Sequence, residues 1–211
     1  MDGKITALRV QQRRKDRVNV FLDDEYAFSL QSIVAAPLRL GQHLTEIEIA
    51  QLQRQDAAER AYENALRFLS FRPRSMLEMQ QYLKKKKVDD ETAQGVIERL
   101  SRVGLLDDKE FARQWVENRE ASHPRGVWGL RVELRQKGIT DKIIHSVVED
   151  VDEEASALQI AERRATRLTG LDRQTFRQRL LSFLQRRGFS YDIARRVTNR
   201  LWDEIGAHQA P

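Results

Sequence analysis

Short clusters of basic residues are the part of this sequence with the clearest chemical potential. An Arg guanidinium can form two parallel hydrogen bonds with a carboxylate or a phosphate, whereas a Lys ammonium acts as a point charge. Such clusters predict contact with an acidic protein surface or a nucleic acid, and the alternative for each one is a solvated helix surface. The candidate partner-binding residues are Arg72, Arg74, Lys84, Lys85, Lys86, Lys87, Arg125, Arg131, Arg186, Arg187, Arg195 and Arg196.

Residues that could support catalysis are few. The chain has no Cys, which excludes thiolate chemistry and Cys-ligated zinc. Asp107-Asp108 and Glu149-Asp150 could bind a metal ion, but a helix start and a solvated helix end are the favoured interpretations. No Gly-rich phosphate loop is present, and the histidines lack ligand spacing. We therefore predict a protein that is not an enzyme and uses no metal or cofactor. The histidines are His43, His123, His145 and His208.

Charge is distributed unevenly along the chain. The net charge is 0 over residues 1–56, +3 over 57–106, −4 over 107–154 and +6 over 155–211. The last segment has eleven Arg and no Lys against five acidic residues. A basic end beside an acidic middle predicts a charged partner, such as nucleic acid or a protein bound to it.

Composition predicts a helical protein with a sizeable core. Of the 211 residues, 40% are hydrophobic, 33% charged and 7% aromatic. No apolar run approaches the roughly 18 residues that a membrane span needs, and the first residues lack the apolar stretch of a signal peptide. We expect a cytoplasmic protein without a membrane partner. The three Trp are expected in cores, although Trp128, close to a turn at Gly126, could instead lie exposed at an interface.

The N-terminal stretch differs from the rest of the chain. Over residues 4–30, apolar residues alternate with polar ones on both sides of a turn signal at Asp23-Asp24. This pattern predicts two or three antiparallel strands, which must pack on helices because so small a sheet is marginal alone. Pro37 is expected to end a first short helix, and Thr45 with Glu48 predicts a capping box at the start of a longer one.

A repeat of about fifty residues organises the remaining chain. The stretch 134–140 has the sequence Leu-Arg-Gln-Lys-Gly-Ile-Thr. A similar stretch follows at 184–190, and a less similar one lies earlier, at 83–89. Gly138 and Gly188 fit a left-handed position at a helix end, which Lys87 occupies in the first copy. The last residue of each copy can cap the next helix. These capping residues are Asp89, Thr140 and Ser190.

Each repeat is interpreted as three helices, and their last helices align from the cap. An apolar residue falls four and seven places after the cap in every copy, a spacing typical of one buried stripe. We predict an N-terminal region at residues 1–56 and three-helix repeats at 57–106, 107–154 and 155–211. The fold class is mainly α, with a tandem array of three repeats and a small antiparallel N-terminal sheet.

These motifs resemble the RecX family of bacterial regulatory proteins, which modulate and inhibit the RecA recombinase. The resemblance covers roughly residues 4–201, and it departs from the family at Met79, where Leu is usual, and at Lys87. The residues that carry it are Arg72-Pro73-Arg74-Ser75-x-x-Glu78 with Leu83, Gly104-x-x-Asp107-Asp108-x-x-Phe111-Ala112 with Arg119, Gly126, Glu133-Leu134-x-x-Lys137-Gly138-Ile139, Gly188-Phe189 and the hairpin Asp23-Asp24-Glu25-Tyr26.

The resemblance implies an elongated, curved array that lies in the groove of the RecA filament on single-stranded DNA. Binding there would reduce ATP hydrolysis and strand exchange, and would thereby modulate DNA repair, recombination and the SOS response. A repeat array offers the extended surface that such a partner needs. We also expect the protein to act as a monomer and to bind single- or double-stranded DNA weakly and without sequence specificity.

A direct DNA-binding protein is the alternative function. Three-helix units could act as helix-turn-helix-like readers of duplex DNA. The net charge of −4 in the middle repeat disfavours this hypothesis, because a DNA reader seldom has an acidic central module. Sequence-selective duplex binding without RecA would distinguish it from the filament regulator.

Overall fold

The computed structural model describes residues 2–207, which form four strands and ten helices and fall into two compact units. Within the described residues, the first unit comprises 2–73 and 79–106, and the second comprises 74–78 and 107–207. The elements are β1 Gly3–Val10, β2 Arg17–Leu22, β3 Glu25–Gln31, α1 Ser32–Ala35, β4 His43–Leu44, α2 Glu46–Leu69, α3 Met76–Lys85, α4 Asp90–Arg102, α5 Asp108–Ser122, α6 Val127–Gln136, α7 Asp141–Val148, α8 Glu153–Ala165, α9 Arg173–Arg186 and α10 Tyr191–Ala207.

The first unit begins with an antiparallel sheet in the order β3-β2-β1-β4. The predicted turn at Asp23-Asp24 joins β2 to β3, and both residues have positive φ, as the favoured two-residue hairpin turn requires. The short β4 was not predicted. Alternate side chains of the sheet are buried, including Ile5, Val20 and Leu30, so the period-two prediction is confirmed.

A buried ion pair joins the sheet to α2. Arg17 on β2 lies 3.3 Å from a carboxylate oxygen of Asp56 on α2, and the other oxygen accepts the backbone N–H of Gln31 at 2.6 Å. Both charges are thereby paired and hydrogen-bonded, which buried charges need. The predicted capping box of Thr45 and Glu48 opens α2. The proposed boundary between residues 56 and 57 lies inside this helix and stays a prediction.

The first unit also contains the end of the first repeat. Tyr82 on α3 stacks on Phe68 of α2 with ring centroids 4.1 Å apart. After α3 the chain turns through Lys87, whose φ is +58°, so a non-glycine residue does occupy the left-handed position predicted from the repeat. The carboxylate of Asp89 then accepts the N–H of Thr92 and caps α4 as expected.

The second unit contains two further three-helix bundles, α5–α7 and α8–α10, each with its own core. Gly138 and Gly188 have φ of +79° and +85°, which confirms their predicted left-handed conformation. Ser190 caps α10 by accepting the N–H of Ile193. Thr140 has the extended backbone of an N-cap, but its side chain makes no capping hydrogen bond.

Close backbone contacts join these two bundles. The N–H of Gly126 donates to the carbonyl of Arg187 at 3.1 Å. A Cβ atom added at Gly126 would lie 2.1 Å from the carbonyl oxygen of Gly188, and one added at Gly188 would lie 2.4 Å from the nitrogen of Gly129. Three glycines therefore permit an approach of main chain to main chain that any side chain would prevent.

An acidic side chain completes this junction. Glu153, at the start of α8, accepts the N–H of Val127 at the start of α6, at 3.1 Å. The same arrangement recurs at the other edge of the second unit, where Asp108 accepts the N–H of Met76 at 2.8 Å. The first-turn N–H groups of a helix have no partner within the helix, so each acid satisfies one of them.

Among the described residues, no helix combines the length and apolarity that crossing a bilayer needs.

Candidate partner-binding surface

The predicted basic residues of the first repeat lie at the ends of α3. Arg72 donates to the carbonyl of Pro73 at 2.9 Å, beside the turn that precedes the helix. Lys84, Lys85, Lys86 and Lys87 are all exposed at its C-terminal end. The Nζ of Lys86 lies 5.7 Å from the ring centroid of Tyr82. Cations at a helix C-terminus are favourable in their own right, so this run has a structural role whatever it binds.

In the second repeat, most arginines are neutralised by carboxylates. One carboxylate oxygen of Glu133 accepts the Nε–H of Arg119 at 2.7 Å and the indole N–H of Trp115 at 2.9 Å. Its other oxygen lies 3.2 Å from the Nε of Arg125. The predicted contact residue Arg125 is therefore already paired. Arg131 differs, because its buried Nε has no hydrogen-bond partner within the described chain.

In the third repeat, most arginines are not neutralised. Arg196 forms two hydrogen bonds with Glu154, at 2.8 and 3.2 Å, and Arg200 pairs with Glu204 at 2.9 Å. The other nine arginines of this segment form no ion pair with any carboxylate among residues 2–207. They include the predicted residues Arg186 and Arg195, both exposed, and Arg187, which is half-buried.

Two of these arginines share one aromatic ring. The guanidinium carbons of Arg187 and Arg164 lie 5.3 and 5.7 Å from the ring centroid of Phe183, within the range of a cation–π interaction. We call these three residues the Phe183 cluster. Burial lowers the pKa of Arg187, and the nearby charge of Arg125 lowers it further. The structure thus brings the predicted residues Arg125 and Arg187 together.

Sequence reasoning did not identify Arg164 or Phe183 as functional residues. Phe183 falls in the apolar stripe of α9, where a core position is the usual interpretation. The available signal was its spacing, because Phe183 precedes Arg187 by four residues and side chains at that spacing meet on a helix. Arg164 is on another helix, α8, and no local pattern relates it to either residue.

The expectation of a core position is wrong for one of the three tryptophans. Trp128 on α6 is 67% exposed, whereas Trp115 and Trp202 are half-buried against their cores. Trp128 lies outside because it occupies the polar side of a helix whose buried stripe is Leu130 and Leu134. It borders a groove of about 430 Å³ that Arg131 also lines.

The described residues do not form a metal-binding cluster. They contain no group of three or more His, Cys, Asp or Glu side chains positioned to hold a metal ion. Asp107 caps α5, as the helix-start interpretation requires. Burial raises the pKa of Asp108, with Asp107 adding to the effect, although the hydrogen bond from Met76 opposes it. His208 lies outside the described residues.

Comparison with known proteins agrees with this architecture, segment by segment. Residues 3–45 match the regulatory protein RecX N-terminal domain. Residues 61–100, 107–148 and 152–198 match the first, second and third three-helix domains of RecX. The chain belongs to the RecX family.

Relatives named RecX align with most of this chain. The sequence is 35% identical to the regulatory protein RecX of Bacillus licheniformis over 194 residues, which are 90% of this chain and 74% of the relative. It is 34% identical to the regulatory protein RecX of Bacillus subtilis over the same shares. A crystal structure of regulatory protein RecX superposes with a TM-score of 0.79 at 26% identity, covering 93% of this chain and 98% of that one.

Proposed function

We propose that this RecX-family protein binds the RecA filament on single-stranded DNA and inhibits its ATPase and strand-exchange activities. By this route it would modulate recombination, DNA repair and the SOS response. The relatives are named regulatory proteins, and the resemblance described above supplies RecA as the regulated enzyme. The protein would act as a monomer in the cytoplasm, where the filament forms.

The observation that carries this proposal is the series of three-helix repeats, whose last member has nine arginines without a carboxylate partner among residues 2–207. A regulator of a polymer needs an extended contact surface rather than a reaction centre. Repeated units provide such a surface, and unneutralised guanidinium groups on it attract the anionic groups of DNA or protein. The acidic second repeat would then set orientation by charge complementarity.

The test is a titration of the DNA-dependent ATPase of RecA from the same source. Substoichiometric amounts of the purified chain are expected to lower the rate of ATP hydrolysis. An unchanged rate at every ratio would refute the proposal. Arg186→Glu combined with Arg195→Glu reverses two exposed arginines of the third repeat and is expected to weaken inhibition.

A matched control separates this contact from a general effect of charge. Lys109→Glu combined with Lys142→Glu changes the net charge equally but alters exposed cations of the second repeat. The control is expected to inhibit more strongly than the Arg186/Arg195 variant. The alternative hypothesis, a direct DNA-binding protein, predicts a different result. It predicts tight, sequence-selective binding of duplex DNA and no effect on the RecA ATPase.

A further inference from the structure

The Phe183 cluster holds its cations in a way that the other repeats do not. Elsewhere among the described residues, Arg9 beside Phe21 and Lys86 beside Tyr82 also lack a carboxylate partner, but each is an exposed cation and the only one on its ring. The remaining cations beside a ring also have a carboxylate within 2.7 Å. This is true of Arg99, beside Tyr62 and Glu59, and of Arg119, beside Trp115 and Glu133. It is also true of Lys137, beside Trp115 and Glu78. Arg164 and Arg187 have the ring of Phe183 and no carboxylate among residues 2–207.

This difference separates positioning from neutralisation. A carboxylate orients a guanidinium group and also cancels its charge. An aromatic ring attracts the cation through its quadrupole but leaves the full positive charge in place. The Phe183 ring therefore keeps two positive charges together at half-buried positions. Because the two side chains are ordered in advance, less side-chain entropy is lost when a ligand binds.

The arrangement costs stability in the free protein. Burial and the neighbouring Arg125 both disfavour the charged form of Arg187, and the buried Nε of Arg164 lacks a hydrogen-bond partner within the described chain. Charges in such positions are normally paired. An incoming anion would supply the missing counter-charge and the missing acceptor.

The surroundings indicate which anion fits. Helix α9, which carries Phe183, contains four arginines and no acidic residue. An isolated carboxylate needs one guanidinium, whereas a polyanion meets positive charge along its whole length. Planar guanidinium groups also offer a surface on which unstacked bases lie, and only a single strand provides such bases. These features favour single-stranded nucleic acid over an acidic protein surface.

We infer that Arg164 and Arg187, held by Phe183, bind the phosphodiester backbone of single-stranded DNA directly. This inference deepens the proposed function and rests on it for the identity of the strand, because the RecA filament presents single-stranded DNA. It assigns the third repeat to the DNA of the complex, and it predicts measurable binding in the absence of RecA.

The test measures fluorescence anisotropy of a labelled oligodeoxythymidylate with the full chain and no RecA, over a series of salt concentrations. Arg164→Gln combined with Arg187→Gln is expected to weaken binding by roughly ten- to a hundredfold, because two charge-assisted hydrogen bonds are lost. The slope of log affinity against log salt is expected to fall by about 1.4, or about 0.7 for each lost phosphate contact.

Arg196→Gln combined with Arg200→Gln is the matched control. It removes the same two charges from the same repeat, but from arginines that already have carboxylate partners. Binding by this control is expected to stay close to that of the unaltered chain. Equal weakening by both pairs would overturn the inference, because it would mean that only net charge matters. Unchanged binding by the Arg164/Arg187 variant would overturn it as well.

Two further measurements test the role of the ring and the kind of anion. Phe183→Leu keeps both charges, so it is expected to lower the affinity while leaving the salt slope unchanged. Arg164→Lys with Arg187→Lys restores the charges and is expected to recover part of the affinity, with thermal melting confirming that each variant folds. Polyglutamate that displaces the oligonucleotide at equal charge concentration would overturn the assignment to DNA.

The outcomes keep this inference distinct from the proposed function. If the unaltered chain inhibits RecA and the Arg164/Arg187 variant still binds DNA normally, the inference fails and the proposed function stands. If the unaltered chain leaves the RecA ATPase unchanged but binds the oligonucleotide through the Phe183 cluster, the proposed function fails and the site stands.

Discussion

The second and third repeats have similar backbones but treat their arginines differently. Leu130 and Leu134 are fully buried in the second repeat, and Leu180 and Leu184 occupy the equivalent places fifty residues later. Both bundles turn through a left-handed glycine after their second helix. Four of the five arginines of the second repeat pair with carboxylates, whereas in the third repeat only Arg196 and Arg200 do so within the described chain.

In these two repeats, the backbone and the charge pattern are specified by separate sets of residues. Apolar spacing and glycines fix the three-helix unit, because they decide what is buried and where the chain can turn. Surface arginines contribute little to stability wherever they are exposed. Their partners can therefore change between repeats, so that one repeat is internally neutralised while another presents its charge.

We expect substitution of Gly188, which lies at the contact between the second and third repeats, to reduce stability most. Gly188→Ala combines a positive φ with a Cβ that would lie 2.4 Å from the backbone nitrogen of Gly129. We expect it to lower the free energy of unfolding by about 3 kcal/mol or more, because backbone strain and overpacking add. Gly170→Ala has a similar φ of +84° and open space around the added methyl group, so about 1–2 kcal/mol is expected there.

Urea unfolding followed by circular dichroism measures both variants. Similar losses for Gly188→Ala and Gly170→Ala would contradict the view that the close backbone approach, rather than the left-handed turn alone, joins the second and third repeats. Such a result would remove the main structural feature on which their comparison depends.

A smaller effect is expected from making the second repeat resemble the third. Glu133→Gln leaves Arg119 and Arg125 without the charge that now neutralises them. We expect a loss of about 1–2 kcal/mol in the free energy of unfolding, since these hydrogen bonds involve charged groups but are partly exposed to water. The freed arginines are also expected to tighten binding of the labelled oligonucleotide.

Glu149→Gln is the control for this substitution. It changes the net charge equally, but Glu149 is exposed and lies 3.8 Å from His145 rather than beside an arginine. Its stability and its affinity for DNA are expected to stay close to those of the unaltered chain. If Glu133→Gln behaves in the same way, neutralisation by Glu133 is not what distinguishes the two repeats.

The smallest effect concerns pH. Hydrogen bonds from Thr175, with a further one from Gln174, lower the pKa of Asp172 at the start of α9. Because the pKa of Asp172 is lower in the folded state, its ionised carboxylate stabilises the folded protein at pH values above the unfolded pKa. This stabilisation is lost as the pH falls through the folded pKa. Helix α6 instead has Gly126 as its N-cap, which has no side chain to titrate.

Asp172→Asn tests this dependence because Asn is a comparable N-cap that does not ionise. The decrease in melting temperature between neutral and acidic pH is expected to be slightly smaller in the variant than in the unaltered chain. Identical acid dependence in the two proteins would show that the cap of α9 does not contribute to it. Thermal melting followed by circular dichroism at several pH values provides the measurement.

Much of the fold could be predicted because its determinants are local. The hairpin turn at Asp23-Asp24, the capping box of Thr45 and Glu48, and the helix-ending glycines each depend on residues a few places apart. The spacing of apolar residues then indicated which face of each helix is buried. The two-residue β4 escaped prediction because so short a strand has no periodic pattern.

The candidate site could be predicted only in part, since pairing depends on residues distant in the sequence. Arg125 and Arg187 were both selected as contacts, but Glu133 neutralises Arg125 and no carboxylate of the described residues does so for Arg187. The approach of Arg164 to Phe183 depends on how α8 packs on α9. Local composition identified the basic repeat, while the tertiary structure was needed to show which of its arginines lack a carboxylate partner among the described residues.

The acidic groups that close the helix starts also have a consequence for synthesis on the ribosome. Asp108 accepts the first N–H of α3, and Glu153 accepts the first N–H of α6, so two helix starts each take a hydrogen bond from a residue that is translated later. During synthesis these two hydrogen bonds can form only after the first residues of the following bundle have left the ribosome. A chain that ends after the first or the second bundle therefore lacks the acid that accepts the first N–H of α3 or of α6.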